Sequence, residues 1–216
     1  MRFVHTKWVL LFVLGMIFAP ATVLAIDLSK LQVGDVVFQQ SQSTQSIAVA
    51  EATNSPWTHV GIIVRLPNDS AWYVAEAASS SMNVVRLTDF IANSRNNEVV
   101  VKRFNKNIVD TSNSNNQSLL LKEINKFGGR NYDIFFEWND ESTYCSEMVS
   151  KAYVRAFGIL PGQLQLIRQL NITGPAVKKL MELRQKMKGS PINLDEPLVT
   201  PVSIFNDTRM VTVTTN

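Results

Sequence analysis

The stretch YDIFFEWNDESTYCSEMVSKAY, residues 132–153, contains the single cysteine of the 216-residue chain, Cys145. Apolar side chains recur after Cys145 at steps of three and four residues, the spacing that places them on one face of an α-helix. This face contains Cys145, Met148, Val149, Ala152, Tyr153 and Ala156. The spacing predicts a helix whose apolar face is buried, with Ser142 or Thr143 as its N-cap and Cys145 in its first turn.

The first 25 residues have the features of a secretory signal peptide. Arg2 and Lys7 accompany an apolar run from Trp8 to Phe18, and a small-x-small cleavage site ends at Ala25. The run is shorter than the roughly 20 residues that a membrane span needs. We therefore expect cleavage after Ala25, no integral membrane anchor afterwards, a secreted or periplasmic location, and a single domain formed by residues 26–216.

The composition of the mature chain excludes several classes of function. Loss of Arg2 and Lys7 lowers the formal charge from +3 to +1, since 21 Lys and Arg residues become 19 against 18 Asp and Glu. This balance gives no support for binding of nucleic acid or anionic membranes. A single cysteine cannot form an internal disulfide, so stability must come from the apolar core.

Potential metal ligands and cofactor motifs are scarce. His5 leaves with the signal peptide, so Cys145 and His59 are the cysteine and histidine that remain. Zinc sites built from these residue types usually need three or four ligands, and we expect no metal. The pair Gly128 and Gly129 lacks the frame of a phosphate-binding loop, and we expect no cofactor.

The remaining chain mixes strand-like and helix-like segments. Strands are predicted at Val36–Phe38, on both sides of the turn LPND at residues 66–69, and within NVVRLTDFIAN and EVVVKRF, which also enclose a short helix. Helices are predicted at Gln45–Ala52, residues 117–127 and residues 174–189; Asp110–Ser118 is predicted as a loop, and Leu198–Phe205 is a short apolar run.

Cys145 and His59 are a candidate nucleophile and base. The N–H groups and the dipole at a helix N-terminus stabilise a thiolate and can also bind an oxyanion. A hairpin turn centred in the middle of residues 66–69 would place Glu76 directly opposite His59, where its carboxylate can accept the second imidazole proton. Each residue alone also fits a structural role: a packing cysteine, a structural histidine and an exposed strand carboxylate.

Four segments resemble the YiiX/YebB-like family, the circularly permuted branch of the NlpC-type, papain-like cysteine hydrolases. The block YDIFFEWNDESTYCSE carries the most specific likeness, because the spacing from Tyr132 through Trp138 and Asp140 to Cys145 matches the family pattern without a gap. The other three segments are GDVVFQQSQSTQSIAVAEAT, THVGIIV and YVAEA. The resemblance covers most of the mature chain.

This resemblance implies an α+β, permuted papain-like fold, in which the cysteine helix packs against an antiparallel sheet that carries the histidine. It implies Cys145 as the nucleophile, His59 as the base and later the acid, and Glu76 as the orienting group. Permutation explains why His59 and Glu76 precede Cys145. Tyr144 and Gln39 are further candidates for substrate binding, with a packing aromatic and a polar strand-end residue as the alternatives.

Three classes of function remain open at this point: a cysteine amidase or peptidase, a lipid acyl hydrolase or acyltransferase, and a non-catalytic binding module of the same fold. The partner in each class is a small amide, peptide or lipid-like molecule. An apolar cleft with few charges would favour a lipid, and a polar groove would favour a cell-wall peptide. We expect amide cleavage, because export leads to the cell wall and an imidazolium can protonate a departing amine.

Overall fold

In the computed structural model, which describes residues 26–78 and 80–215, the chain forms an α+β fold around a six-stranded sheet. The strands of this sheet are β1 Val36–Ser41, β2 His59–Val64, β3 Tyr73–Ala78, β4 Ser81–Arg86, β5 Ser94–Phe104 and β8 Met210–Thr215. Neighbouring strands are antiparallel, in the order β4-β3-β2-β1-β5-β8. A separate two-stranded sheet pairs β6 Gln165–Leu166 with β7 Pro197–Leu198. The signal peptide predicted for residues 1–25 lies outside the described residues.

Six α-helices occur within the described part of the chain. They are α1 Thr44–Thr53, α2 Leu87–Ala92, α3 Ser114–Asn125, α4 Cys145–Phe157, α5 Pro175–Lys188 and α6 Pro201–Phe205. Leu28–Lys30 and Ile167–Gln169 form short 3-10 helices. Within these described residues, no helix has the length and apolar character needed to cross a membrane.

Helices cover both faces of the central sheet. On one face, Met148 and Val149 of α4 pack in the same cluster as Phe38 and Val60. On the other, Phe90 of α2 packs with Val37, Ile63 and Val74. A strand that is covered on both sides reads as a continuous apolar run, which accounts for VGIIV in β2. Strand β2 is therefore packed between two apolar clusters, one on each face of the sheet.

The hairpin between β2 and β3 differs from the predicted register by two residues. Ile63 faces Val74, so Glu76 does not lie directly opposite His59. Asn68 adopts the left-handed conformation (φ 61°), which lets the chain turn one residue later than predicted. Because the shift is an even number, each side chain keeps its face of the sheet, and Glu76 reaches His59 along a diagonal.

The start of α4 also differs from the prediction. Neither Ser142 nor Thr143 is the N-cap, because the helix begins at Cys145 and Tyr144 occupies the cap in an extended conformation. The carboxylate of Glu147 accepts the Tyr144 N–H at 3.3 Å, which supplies the capping interaction from inside the first turn. The prediction that Cys145 lies in the first turn is confirmed.

The loop predicted at Asp110–Ser118 extends too far, and elements that were not predicted form near the C-terminus. Helix α3 begins at Ser114, inside the predicted loop, because the Asn113 side chain accepts the N–H of Asn115 at 2.9 Å and caps the helix. The apolar run Leu198–Phe205 contributes to β7 and then forms α6, which Thr200 caps. Strand β8, at the edge of the sheet, was not predicted.

Candidate active site

The imidazole of His59 is held on two sides. His59 is the first residue of β2, and its Nε2 contacts Oε2 of Glu76. The ring of Phe90 stacks on it, with 5.7 Å between ring centroids. Both members of the pair are buried, with 9% of His59 and 7% of Glu76 exposed. The carboxylate therefore fixes the ring orientation and leaves Nδ1 to serve another group.

A glycine makes the diagonal contact between His59 and Glu76 possible. A Cβ atom at Gly61 would lie 2.4 Å from Cγ1 of Val74 and 2.9 Å from the carbonyl oxygen of Ala75. It would also lie 3.5 Å from Cβ of Glu76. Because residue 61 has no side chain, β2 and β3 approach closely and the Glu76 carboxyl group has a free path to the imidazole.

Cys145 lies at the N-terminus of α4 and is 6% exposed. The first N–H groups of a helix have no partner within it, so they point toward this position. Burial is the largest influence on the pKa of His59 and lowers it. The charge of Cys145 and a hydrogen bond with it, together with Glu76, outweigh burial and raise the pKa of His59 from 6.5 to about 10. This arrangement favours the protonated imidazole of His59.

The polar recess is a cavity of about 1120 Å³ lined by Gln39, Thr58, His59, Glu76 and Tyr132, among others. Gln39 lies opposite His59 on β1 and is 3% exposed. Its Oε1 atom has no hydrogen-bond partner in the described part of the chain. A buried amide oxygen without a partner is costly, so a ligand that enters the recess gains a hydrogen bond there.

The apolar cleft is a second cavity, of about 820 Å³, and Cys145 forms part of its wall. Helices α1 and α5 contribute Val49 and Leu180, and the segments around Phe136 and Leu198 complete the wall. Among the described residues that line this cleft, Arg184 is the only Lys, Arg, His, Asp or Glu. The cleft is thus suited to an apolar group with one polar anchor.

The two cavities share a wall beside Cys145. Gln45, Val49, Thr58 and Tyr132 line both of them. Gln45 donates a hydrogen bond from Nε2 to the Tyr132 hydroxyl oxygen at 2.8 Å. A molecule that reaches the Cys145 sulfur therefore has a polar cavity on one side and an apolar one on the other.

Tyr144 lies in the wall of the apolar cleft. It is 2% exposed, and its ring packs edge-on against Phe136 with 5.0 Å between centroids. The hydroxyl oxygen accepts the Val199 N–H at 3.3 Å. The ring can therefore contact an apolar substituent, while the hydroxyl group is held by the backbone.

Sequence reasoning missed Gln45 and Arg184 as site residues. Arg184 is a cation on the buried side of α5, seven residues after the buried Val177 and therefore on the same helical face. That spacing was the available signal. No sequence signal indicated Gln45 as a site residue, because a glutamine near the start of a helix of small residues is typical of a solvated position.

Comparisons with known proteins give matches over most of the chain. The family model described as "Permuted papain-like amidase enzyme, YaeF/YiiX, C92 family" matches residues 30–214. The "Uncharacterized protein YiiX" of Escherichia coli K12 is 31% identical over 182 residues, which are 84% of this chain and 85% of that protein. A crystal structure of YiiX from Escherichia coli O157:H7 superimposes with a TM-score of 0.75 at 31% identity, covering 85% of this chain and 97% of that one.

The YiiX of Escherichia coli O157:H7 is described as a metalloprotein. In residues 26–78 and 80–215 of this chain, His, Cys, Asp and Glu side chains do not gather in groups of three or more that would suit a metal ion. The donor set formed by these residues therefore does not fit a resident metal.

Both the family resemblance and the α+β class predicted from the sequence are confirmed by these matches. The cysteine and the histidine follow the permuted order along the chain, with His59 in β2 and Cys145 in α4. The chain belongs to the permuted papain-like amidase family YaeF/YiiX, C92, and is a cysteine hydrolase of the amidase or peptidase type.

Proposed function

We propose that this chain is an exported cysteine amidase in which Cys145 is the nucleophile, His59 the base and later the acid, and Glu76 the group that orients His59. One observation carries the proposal: Nε2 of His59 contacts the buried carboxylate of Glu76, and Cys145 at the N-terminus of α4 raises the pKa of the same imidazole. This is the arrangement that an activated thiol nucleophile requires.

The reaction begins when the Cys145 thiolate attacks the carbonyl carbon of the amide. A C–S bond forms, and the N–H groups of the first turn of α4 stabilise the charge on the carbonyl oxygen. The C–N bond then breaks as the His59 imidazolium donates its proton to the departing amine. Neutral His59 next takes a proton from water, and the resulting hydroxide attacks the thioester carbonyl carbon. The C–S bond then breaks, the carboxylic acid leaves, and the Cys145 thiolate and the His59 imidazolium are restored.

The shape of the site favours an amide that carries an apolar acyl chain. Cys145 lies in the wall of the apolar cleft, and most of the other side chains that line the cleft are apolar. An acyl chain in this cleft would leave the amine half of the substrate near the polar recess. Gln39 would then contact the amine half, and the ring of Tyr144 would contact the acyl chain.

The polar recess supports a second candidate, a cell-wall peptide. The unpartnered Oε1 atom of Gln39 could accept a peptide N–H beside His59. Export by the signal peptide predicted at residues 1–25 would bring the protein to such a substrate. The two candidates differ in which cavity binds the acyl half of the amide.

Mass spectrometry of the trapped acyl-enzyme tests the proposal. The chain from Ile26 onward is incubated with a dodecanoyl amide and, separately, with cell-wall peptides, and quenched with acid. We expect a dodecanoyl adduct on Cys145, no adduct in Cys145→Ala, and turnover reduced about 10⁴-fold or more in that variant.

The control is Ser118→Ala, which removes a hydroxyl from the exposed face of α3 and should leave the adduct unchanged. Thermal unfolding of both variants checks that they are folded. A peptide adduct without a dodecanoyl adduct would support the second candidate. Absence of both adducts, with both substrates still bound, would refute catalysis and support a binding module.

A further inference from the structure

The wall of the apolar cleft contains a buried cation without a counterion. Arg184 lies on α5 and is 7% exposed, although most of the residues around it in the cleft are apolar. No carboxylate in the described part of the chain forms an ion pair with it, whereas most buried arginines are paired. This cation is the feature of the cleft that the proposed reaction does not use.

The contacts that Arg184 does make leave most of its donors unused. Nη2 donates to Oε1 of Gln45 at 3.2 Å, and the guanidinium carbon lies 4.1 Å from the centroid of the Phe136 ring. A guanidinium group has five N–H donors, and these two contacts occupy one of them. The contacts fix the plane of the group against the cleft wall while leaving donors for a planar anion.

The carboxylate whose charge acts on Arg184 is hydrogen-bonded to the backbone and forms no ion pair with Arg184. Asp133 acts on Arg184 through its charge, but its two carboxylate oxygens accept the N–H groups of Phe135 at 2.8 Å and Glu137 at 2.7 Å. Burial lowers the pKa of Arg184 to about 10, with Tyr132 and Asp133 opposing this change, so the group is still charged at neutral pH. The cation in the wall is therefore available to a ligand.

Arg184 and Cys145 line the same apolar cleft. The Tyr132 hydroxyl accepts a hydrogen bond from Gln45, the same residue that binds Arg184. Burial raises the pKa of Tyr132. The charge of Cys145 raises this pKa further, whereas the charge of Arg184 lowers it. Gln45 also lines the polar recess, so Arg184 lies on the side of the cleft that adjoins the recess, where an anion on the amine half of a substrate can contact it.

We infer that Arg184 binds a carboxylate or phosphate group of the substrate, so that the natural substrate is an anionic amphiphile with an amide bond. The inference rests on the proposed amidase function for the position of the amide but not for the binding of the anion. A purely structural Arg184, which only joins α5 to α1 and Phe136, would not distinguish charged from neutral ligands.

Binding to an inactive protein separates this inference from catalysis. The Cys145→Ala protein is titrated calorimetrically with N-dodecanoylglycine, with the uncharged N-dodecanoylglycinamide and with dodecyl phosphate. Because a charge-assisted hydrogen bond in a desolvated site is strong, we expect at least one anionic probe to bind about 10- to 100-fold more tightly than the amide. Whichever anion shows the preference identifies the head group.

The second variant in the same background is Arg184→Gln, which should remove the preference while the neutral amide binds as before. Arg184→Lys should restore part of it, because lysine keeps the charge but lacks the planar fork. Lys186→Gln removes an equal charge from the exposed side of the same helix and should change nothing.

Equal affinities for the three probes, or a preference that survives Arg184→Gln, would overturn the inference. If Arg184→Gln unfolds, the partial rescue in Arg184→Lys and the comparison of probes on the Cys145→Ala protein still decide it. If the anion preference is present but no substrate is turned over by the wild type, the proposed amidase function fails while the anion site stands.

Discussion

The polar recess and the apolar cleft share a wall formed by Gln45, Val49, Thr58 and Tyr132 but are built in different ways. The recess is formed mainly by β1, β2 and β3 and by α1, which lie close together along the chain. The cleft combines α1 with residues around Phe136, with α5 and with the segment near Leu198. Hydrogen bonds hold the groups of the recess, whereas the cleft is held by packing.

This difference separates two contributions to activity. Groups in the recess act on protons and charge, so changes there should lower kcat. Side chains in the cleft contact a part of the substrate that does not react, so changes there should mainly raise KM. Substitutions in the two cavities test this division, beginning with the largest effect.

Replacing His59 should have the largest effect in the recess. In His59→Ala, Cys145 loses the imidazolium that stabilises its thiolate, and the departing amine loses its acid. We expect turnover to fall about 10³-fold or more, with thiol alkylation at pH 7 slowed about 10-fold. The chain has one cysteine, so iodoacetamide labelling followed by mass spectrometry measures this rate directly. An alkylation rate equal to that of the wild type would refute the thiolate–imidazolium pair.

Glu76→Gln should have a smaller effect, because the amide can still hold the ring but carries no charge. We expect kcat to fall about 10- to 100-fold with KM nearly unchanged. Glu98→Gln, an exposed carboxylate on β5 of the same sheet, is the matched control. A change confined to KM would show that Glu76 binds substrate and does not orient His59.

The same variant should change the titration of His59. His59 is the one histidine after residue 25, so its imidazole resonances can be assigned without ambiguity in a protein that begins at Ile26. The pKa of His59 is raised from 6.5 to about 10 in the folded protein by Cys145 and Glu76. Protonated His59 therefore stabilises the fold fully below pH 6.5, and this contribution is lost as the pH rises through about 10. In Glu76→Gln the pKa, measured by NMR, should be lower than in the wild type.

The recess was the more predictable of the two cavities. Strand alternation and a short hairpin placed Glu76 and His59 on one face, and even a register wrong by two residues kept them there. The positive φ of Asn68 set the register, and a single sequence does not specify which asparagine of a turn takes that conformation. Local periodicity was thus sufficient for the pair but not for its exact alignment.

The cleft was not predictable, because its walls come from segments that are distant along the chain. Helix α5 was predicted from its spacing, but nothing in that spacing showed that α5 would pack against α1. Arg184 therefore looked like one of several basic residues on an amphipathic helix. The cap of α4 was missed for a related reason, since Glu147 stabilises the helix start from inside the first turn.

Gly61→Ala tests the packing that supports the recess. The added methyl group would lie 2.4 Å from Cγ1 of Val74, so β2 and β3 must separate. We expect the free energy of unfolding to fall by about 1–3 kcal/mol, the usual cost of overpacking a core. Chemical denaturation measures this loss, and Gly128→Ala, where the nearest atom is Asn125 O at 3.2 Å, should cost less. Equal stability of Gly61→Ala and wild type would show that β2 and β3 can accommodate a methyl group at residue 61 without loss of packing.

The smallest predicted effect lies in the cleft, at Leu180. Glutamine there keeps most of the side-chain volume but replaces an apolar contact surface with a polar one. We expect KM for a dodecanoyl amide to rise about 10-fold, KM for a hexanoyl amide to rise less, and kcat to stay unchanged, because only a long chain reaches the substituted position. Leu183→Gln is the matched control, since Leu183 is on the same helix but 54% exposed, and it should leave both constants unchanged. Steady-state kinetics with the two amides distinguish the possibilities. A fall in kcat for both chain lengths would contradict the assignment of kcat to the recess and KM to the cleft. It would show that α5 positions the reacting groups as well as the acyl chain.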